Sequence, residues 1–167
     1  PYSVASSSLE RGQEADLCLA LMTYETADQI QRMGVASAWL ERITGGLERA
    51  DGPVGYRQER LLVYPRPSNG FRLPSDLRRP LIMVGSGTGV APFLGMLKHR
   101  RAMKALGPCW LFYGFRSREQ DFLFEEDLLE LQQEGILTEL VVAVSRDPIK
   151  PAYVQDCLAE RRDWLYR

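Results

Sequence analysis

Apolar and polar positions divide this chain into two unlike stretches. From Pro80 onward, short apolar runs alternate with amphipathic segments. Leu81–Val84, Cys109–Tyr113 and Thr138–Ser145 read as buried strands, and Ala91–Ala105, Leu123–Glu134 and Tyr153–Arg162 as the helices that follow them. Gly107-Pro108 and Gly135 punctuate the helix ends. Three strand–helix units in succession predict an α/β arrangement, a parallel doubly wound sheet with right-handed crossovers. Before Pro80 that alternation is missing. Pro1–Ala5 alternates as a strand, Ser6–Ser8 turns, and Ala15–Tyr24 is a second strand with an apolar centre. Thr26–Arg32 is polar, a loop or a short helical turn. Gly34-Val35-Ala36-Ser37 enters a helix over Ala38–Ile43, which Thr44-Gly45-Gly46 ends. Leu47–Gln58 reads as a loop, Arg60–Tyr64 as a strand and Pro65–Asn69 as a turn. This upstream part looks like the remainder of an antiparallel β-barrel, and polar Ser75–Arg79 like a linker. The expected domains are therefore residues 1–78 and 79–167, the second incomplete at its C-terminus.

Composition narrows the function classes. A net charge of −1 provides no global field toward nucleic acid or an anionic membrane, so any anion site must be built from local arginines. The three cysteines, Cys18, Cys109 and Cys157, are odd in number and lack metal-ligand spacing; they read as reduced thiols in a cytoplasmic setting. The single histidine, His99, falls on the polar side of a predicted helix, which argues against a metal site or a Ser/His triad. No apolar run reaches membrane-spanning length, and no signal peptide is recognisable. The chain begins in strand-like and stops in helix-like sequence, as expected for a piece of something longer.

The most informative stretch is Pro80–Arg101. Its apolar strand meets the turn Gly85-Ser86-Gly87-Thr88-Gly89, and a helix opens at Val90-Ala91-Pro92. Glycines let a ligand approach the backbone closely and leave N–H groups aimed at an anion at the positive end of the helix. Thr88 adds a hydroxyl. Strand before, helix after and proline in the first helical turn are the context of a phosphate-binding loop; a plain βα turn is the alternative. In a parallel sheet, ligands sit at the carboxyl ends of the strands. Arg116 and neighbouring Arg118 follow the second strand; Ser145 and Arg146 follow the third, with Lys150, Tyr153 and Gln155 close behind. Arginine grips phosphate bidentately, and hydroxyls and an aromatic ring complete a nucleotide site. A set spread over three strand ends points to a nucleotide carrying an extra phosphate, NADP rather than NAD. Upstream, Tyr2 and Ser3 pair a ring with a small hydroxyl, and Gly34-Val35-Ala36-Ser37 could hold a second phosphate group at a helix start.

With these residues laid out, the chain resembles the NADPH-dependent diflavin reductases, within the ferredoxin–NADP reductase superfamily, along essentially its whole length. Pro1-Tyr2-Ser3 matches the end of the family's Arg-x-Tyr-Ser, whose tyrosine stacks on the FAD ring and whose serine bonds near the hydride-accepting nitrogen. Cys18-Leu19-Ala20 and Tyr24, in Tyr24-Glu25-Thr26, match the strand lining the FAD site. Gly34–Ser37 with Trp39-Leu40 matches the FAD pyrophosphate loop, and Phe71–Pro74 the segment joining the two domains. Gly85–Phe93 matches the NADPH pyrophosphate loop. Gly114, Arg116 and Asp121 fit the Gly-Cys-Arg…Asp segment, and Ser145-Arg146 with Tyr153-Val154-Gln155 the 2′-phosphate clamp. Ser86 stands where most members have proline, Phe115 replaces a cysteine, and Pro151 takes the clamp lysine's place, with Lys150 one residue further back. The chain stops before the family's Cys-Gly-Asp segment and its C-terminal aromatic residue. The resemblance implies an FAD-binding barrel followed by an NADPH domain, with Ser3 in the hydride-transfer set. It also implies FMN on a domain outside this chain and a haem or cobalamin protein as redox partner. A sulfite reductase flavoprotein, a single-flavin ferredoxin-type NADP reductase and a non-catalytic nucleotide-binding module are the alternatives.

Overall fold

The computed structural model describes residues 2–43, 61–66 and 70–165. In chain order its elements are α1 (Ser8–Arg11), β1 (Thr23–Glu25), β2 (Gln31–Met33), α2 (Val35–Ile43), β3 (Leu81–Ser86) and a 3-10 turn, Gly87–Val90. There follow α3 (Ala91–Ala102), β4 (Cys109–Phe115), α4 (Arg118–Asp121), α5 (Glu125–Gln133), β5 (Glu139–Val144), α6 (Val154–Glu160) and α7 (Arg162–Leu165). Contacts group them into two compact units, Pro1–Cys18 with Arg72–Arg167, and Leu19–Phe71.

In the first unit β3, β4 and β5 form a parallel sheet in that order, as the alternation of strand and helix predicts. Because side chains alternate across a strand, the sheet has two apolar faces. Met83, Leu111, Tyr113 and Phe115 join Leu94 and Leu97 of α3 and Leu128 and Leu131 of α5 in the larger core. Trp110, Phe112, Val141 and Ala143 pack with Val154, Cys157 and Leu158 of α6 in a second one. Cover on both faces explains why these strands read as continuous apolar runs. On β3 the second face is open, and Ile82 and Val84 are half exposed.

Tyr113 is fully buried; its hydroxyl donates to the Asp121 carbonyl and accepts the Leu123 N–H, both at 3.3 Å. Burial pushes its phenol up from 10.0 to about 12. Both folded and unfolded chains hold this proton below pH 10; between there and about 12 only the folded one keeps it. Stability is therefore expected to fall over that window by about 1–3 kcal/mol from this group. Alkaline unfolding curves should be shallower for Tyr113→Phe; an unchanged slope would rule the phenol out as the cause.

Residues 2–18 lie on α3. Val4 bridges Leu17 antiparallel, the Ala5 N–H donates to the Asp16 carbonyl at 2.8 Å, and the Asp16 N–H to Ser6 Oγ at 2.9 Å. Ser7 caps α1 by accepting the Leu9 N–H, and Ala5 is buried in the larger core. At the far end of α3, Arg100 is 1% exposed. Its Nη2 donates to the Leu77 carbonyl at 3.0 Å and the Gly107 carbonyl at 2.6 Å, while Nη1 has no hydrogen-bond partner among the described residues. Gly107 must be glycine here, since a Cβ would lie 2.5 Å from the Arg78 carbonyl oxygen.

In the second unit, β1 and β2 pair antiparallel, Thr23 opposite Met33. Ile30 closes the turn onto Thr26, whose N–H and hydroxyl both engage its carbonyl. The loop expected over Thr26–Arg32 thus includes a strand. The strand expected over Ala15–Tyr24 is confined to the bridge at Leu17 and the start of β1; Leu21 and Met22, in its apolar centre, are exposed. Leu61–Tyr64 carries no strand pairing, and Thr44–Arg60 and Pro67–Asn69 lie outside the described residues.

Three helix boundaries also moved, each for a backbone reason. The helix expected to reach Ala105 stops at Ala102, because Lys104 is left-handed (φ 51°) and the Ala105 N–H turns back to the Arg100 carbonyl. The one expected from Leu123 starts at Glu125, because Phe124 is left-handed at φ 60°. The last predicted helix divides into α6 and α7 at Arg161. Strand β4 runs two residues further than expected, through Gly114 to Phe115.

Candidate functional site

The register of the sheet aligns three strand ends. Ser86 pairs with Gly114, Gly114 with Ala143, and Phe115 with Val144. Beyond the last pair the loops stay bonded. The Ser145 N–H and hydroxyl both donate to the Phe115 carbonyl, at 2.9 and 3.3 Å, and the Arg146 N–H donates to the Arg116 carbonyl at 3.0 Å. Arg116 and Arg146 therefore leave the sheet side by side. Both side chains are exposed, and among the described residues neither has an ion-pair partner. Arg118 differs: its guanidinium lies 5.5 Å over the Phe122 ring and 3.6 Å from Glu125.

Segment 145–152 is held as a closed loop. The Asp147 carboxylate accepts the N–H groups of Ile149 and Lys150 at 2.9 and 2.8 Å, and the Ala152 N–H returns to the Val144 carbonyl at 3.0 Å. Those two N–H groups hold the Asp147 carboxyl below its ordinary range. Lys150 is exposed on this loop, and Tyr153 and Gln155 are exposed at the start of α6, where Asp156 accepts the Tyr153 N–H at 3.2 Å. The helix enters close to β4: a Cβ on Gly114 would stand 2.6 Å from Val154 Cγ2.

The glycine turn divides into structural and open positions. A Cβ on Gly85 would meet the Gly89 carbonyl and the Phe93 ring at 3.2 Å, so this glycine permits the turn to fold onto α3. Gly87 is left-handed at φ 51°, and a Cβ at Gly87 or Gly89 would meet nothing within 4 Å. Thr88 is partly buried between them, and Pro92 sits in the first turn of α3. An open turn at the head of a twelve-residue helix, with two guanidinium groups just beyond β4 and β5 that have no ion-pair partner among the described residues, suits a polyanion.

The remaining expected site residues fall in both units. Tyr2 and Ser3 are exposed in the first, and Cys18 packs against its larger core, where burial raises its thiol pKa. Leu19, Ala20 and Tyr24 belong to the second unit, with Tyr24 exposed on β1. There Gly34, Val35, Ala36 and Ser37 start α2 against Met22. The Gly34 N–H donates to the Met22 carbonyl at 2.7 Å, and a Cβ on Gly34 would lie 2.9 Å from Met22 Cβ. Ser37 Oγ accepts the Met22 N–H at 3.1 Å and donates to the Gly34 carbonyl at 3.2 Å. This hydroxyl braces the loop, which leaves the backbone N–H groups of Val35, Ala36 and Ser37 as the donors at the helix start. Asp147 and Val154 shape the site without the residue type of a ligand, Asp147 by tying its loop and Val154 by packing on Gly114. Among the described residues no group of His, Cys, Asp and Glu could hold a metal ion, and no helix is long and apolar enough to cross a membrane.

Comparison with known proteins agrees with this geometry. A family described as oxidoreductase NAD-binding domain matches residues 83–163, from β3 into α7. Over 99% of its length the chain is 37% identical to NADPH–cytochrome P450 reductase of Cavia porcellus and 38% identical to that of Homo sapiens. It is 36% identical over its full length to methionine synthase reductase of Mus musculus. It spans 24%, 24% and 27% of those relatives, respectively. An NAD-binding sheet with this loop chemistry and end-to-end similarity to both reductases lead to one conclusion: over its whole length the chain is similar to the diflavin reductases, and its sheet is that of an oxidoreductase NAD-binding domain.

Proposed function

We propose that this chain forms the NADPH-binding part, and a portion of the FAD-binding part, of a reductase that moves a hydride from NADPH to FAD. Electrons would then pass to FMN on a domain outside the chain and on to a haem or cobalamin protein, in a cytoplasmic setting. The boundary between the FAD and NADPH parts falls at 78/79 in this reading. The observation that carries it is the pair Arg116 and Arg146, exposed, without an ion-pair partner among the described residues, and bonded backbone to backbone beside the open glycine turn.

The residues present fit both dinucleotides. Gly87, Thr88 and Gly89 offer backbone and hydroxyl donors to the NADPH pyrophosphate at the positive end of α3. Arg116, Ser145, Arg146, Lys150, Tyr153 and Gln155 surround the 2′-phosphate, arginine supplying the charge-assisted bonds. The N–H groups of Val35–Ser37 take the FAD pyrophosphate, with Gly34 required by the tight approach to Met22. Tyr2 would lie against the flavin ring and Ser3 would bond to it, orienting the acceptor without acting as a base; Cys18 in the first unit, and Leu19, Ala20 and Tyr24 in the second, are the further FAD contacts that the resemblance implies.

Titration of the full-length protein with NADP+ and NAD+ tests this. The 2′-phosphate should improve affinity by roughly tenfold or more, the worth of one or two charge-assisted bonds. Equal affinities would refute the assignment of the two arginines.

A further inference from the structure

The two ends of the proposed hydride path belong to one compact unit, and the packing that joins them is specific. The segment carrying Tyr2 and Ser3, in which only Val4 makes an isolated β-bridge, crosses α3 at Gly95. A Cβ on that glycine would lie 3.0 Å from the Val4 and Ser6 carbonyl oxygens and 3.4 Å from the Ala5 carbonyl carbon. Main chain therefore rests directly on helix, and Ala5 is buried beside the crossing. Gly95 lies one turn, about 6 Å, along α3 from Ala91 and the glycine turn. Ser3 lies two residues before Ala5, within roughly 7 Å along the chain. A second clamp holds the far end of this segment. Arg101 of α3 reaches Glu10 of α1 through Nε at 2.8 Å and Nη2 at 3.1 Å, and its Nη1 lies 3.4 Å from Glu134. Ser7 Oγ and His99 Nδ1 share a further hydrogen bond at 3.3 Å.

We propose that Gly95 and the Glu10–Arg101 pair are positioning residues that set where Ser3 stands relative to the glycine turn, and hence the approach of nicotinamide to flavin. This rests on the reading above. Neither residue meets a nucleotide. They act by fixing a short segment against the helix that carries the phosphate turn, and near-attack geometry is sensitive to displacements of about an ångström.

The test uses the full-length protein with Gly95→Ala, which pushes residues 4–6 outward by a few tenths of an ångström, and Glu10→Gln, which keeps the side chain's size and removes its charge. NADP+ affinity should stay within about twofold in both. Flavin reduction by saturating NADPH in stopped flow should slow roughly three- to tenfold in Gly95→Ala, and to a smaller extent in Glu10→Gln. Amide exchange of residues 3–6 should quicken in Glu10→Gln. Quicker exchange with an unchanged reduction rate overturns the positioning role. So does a loss of NADP+ affinity in step with the rate, which would mark a merely structural contact. Parent protein that fails to prefer NADP+ over NAD+ would instead refute the nucleotide assignment itself.

Discussion

Arg146→Ala in the full-length protein is expected to weaken NADPH binding by ~1.5–3 kcal/mol, roughly ten- to a hundredfold, while NADH affinity stays nearly unchanged. Its N–H is fixed to the Arg116 carbonyl and its loop is tied down by Asp147, so the guanidinium is presented by backbone already in place. Truncation removes charge-assisted bonds to a phosphate without disturbing any ion pair among the described residues. The selectivity of the loss matters most. Equal weakening for both nucleotides would mean that Arg146 sits elsewhere than at the 2′-phosphate.

Arg100→Ala is expected to destabilise the first unit by about 2–4 kcal/mol. The variant empties a fully buried volume and strips the Gly107 carbonyl of its 2.6 Å donor. An opposing effect reduces the loss, since Nη1 is buried without a hydrogen-bond partner among the described residues and its desolvation penalty disappears with it. Thermal unfolding of the full-length protein should show the drop, and Arg100→Met, which keeps most of the volume, should recover part of it. An alanine variant as stable as the parent would show that desolvation cancels the two carbonyl bonds. Because Leu77 and Gly107 are joined through this side chain, amides near both should exchange faster in the variant.

The part of the fold best read from sequence was that where local signals agree. At β3 and α3 an apolar run, a glycine turn and Pro92 all specify one strand–helix junction, and the structure has it there. The strand ends around Arg116 and Arg146 were legible for the same reason, since parallel connectivity alone brings them together. The β1–β2 hairpin was not, because every residue of its two strands is exposed and no apolar alternation marks it. Arg100 escaped notice because an arginine in the polar last turn of a helix normally reads as solvated; only the carbonyls of residues 77 and 107, distant in sequence, reveal its burial. Ser37 has the type and place of a phosphate ligand, and nothing in the sequence shows that the Met22 N–H already engages its hydroxyl.

Strand β4 contributes Leu111, Tyr113 and Phe115 to one core and Trp110 and Phe112 to the other. Opening it means dismantling both layers at once, so its amides belong with the slowest-exchanging, globally protected set rather than with locally fraying loops. Gly114 and Arg116 stand at its end. A ligand arriving there meets backbone already ordered by folding, and little further ordering entropy is lost when it docks.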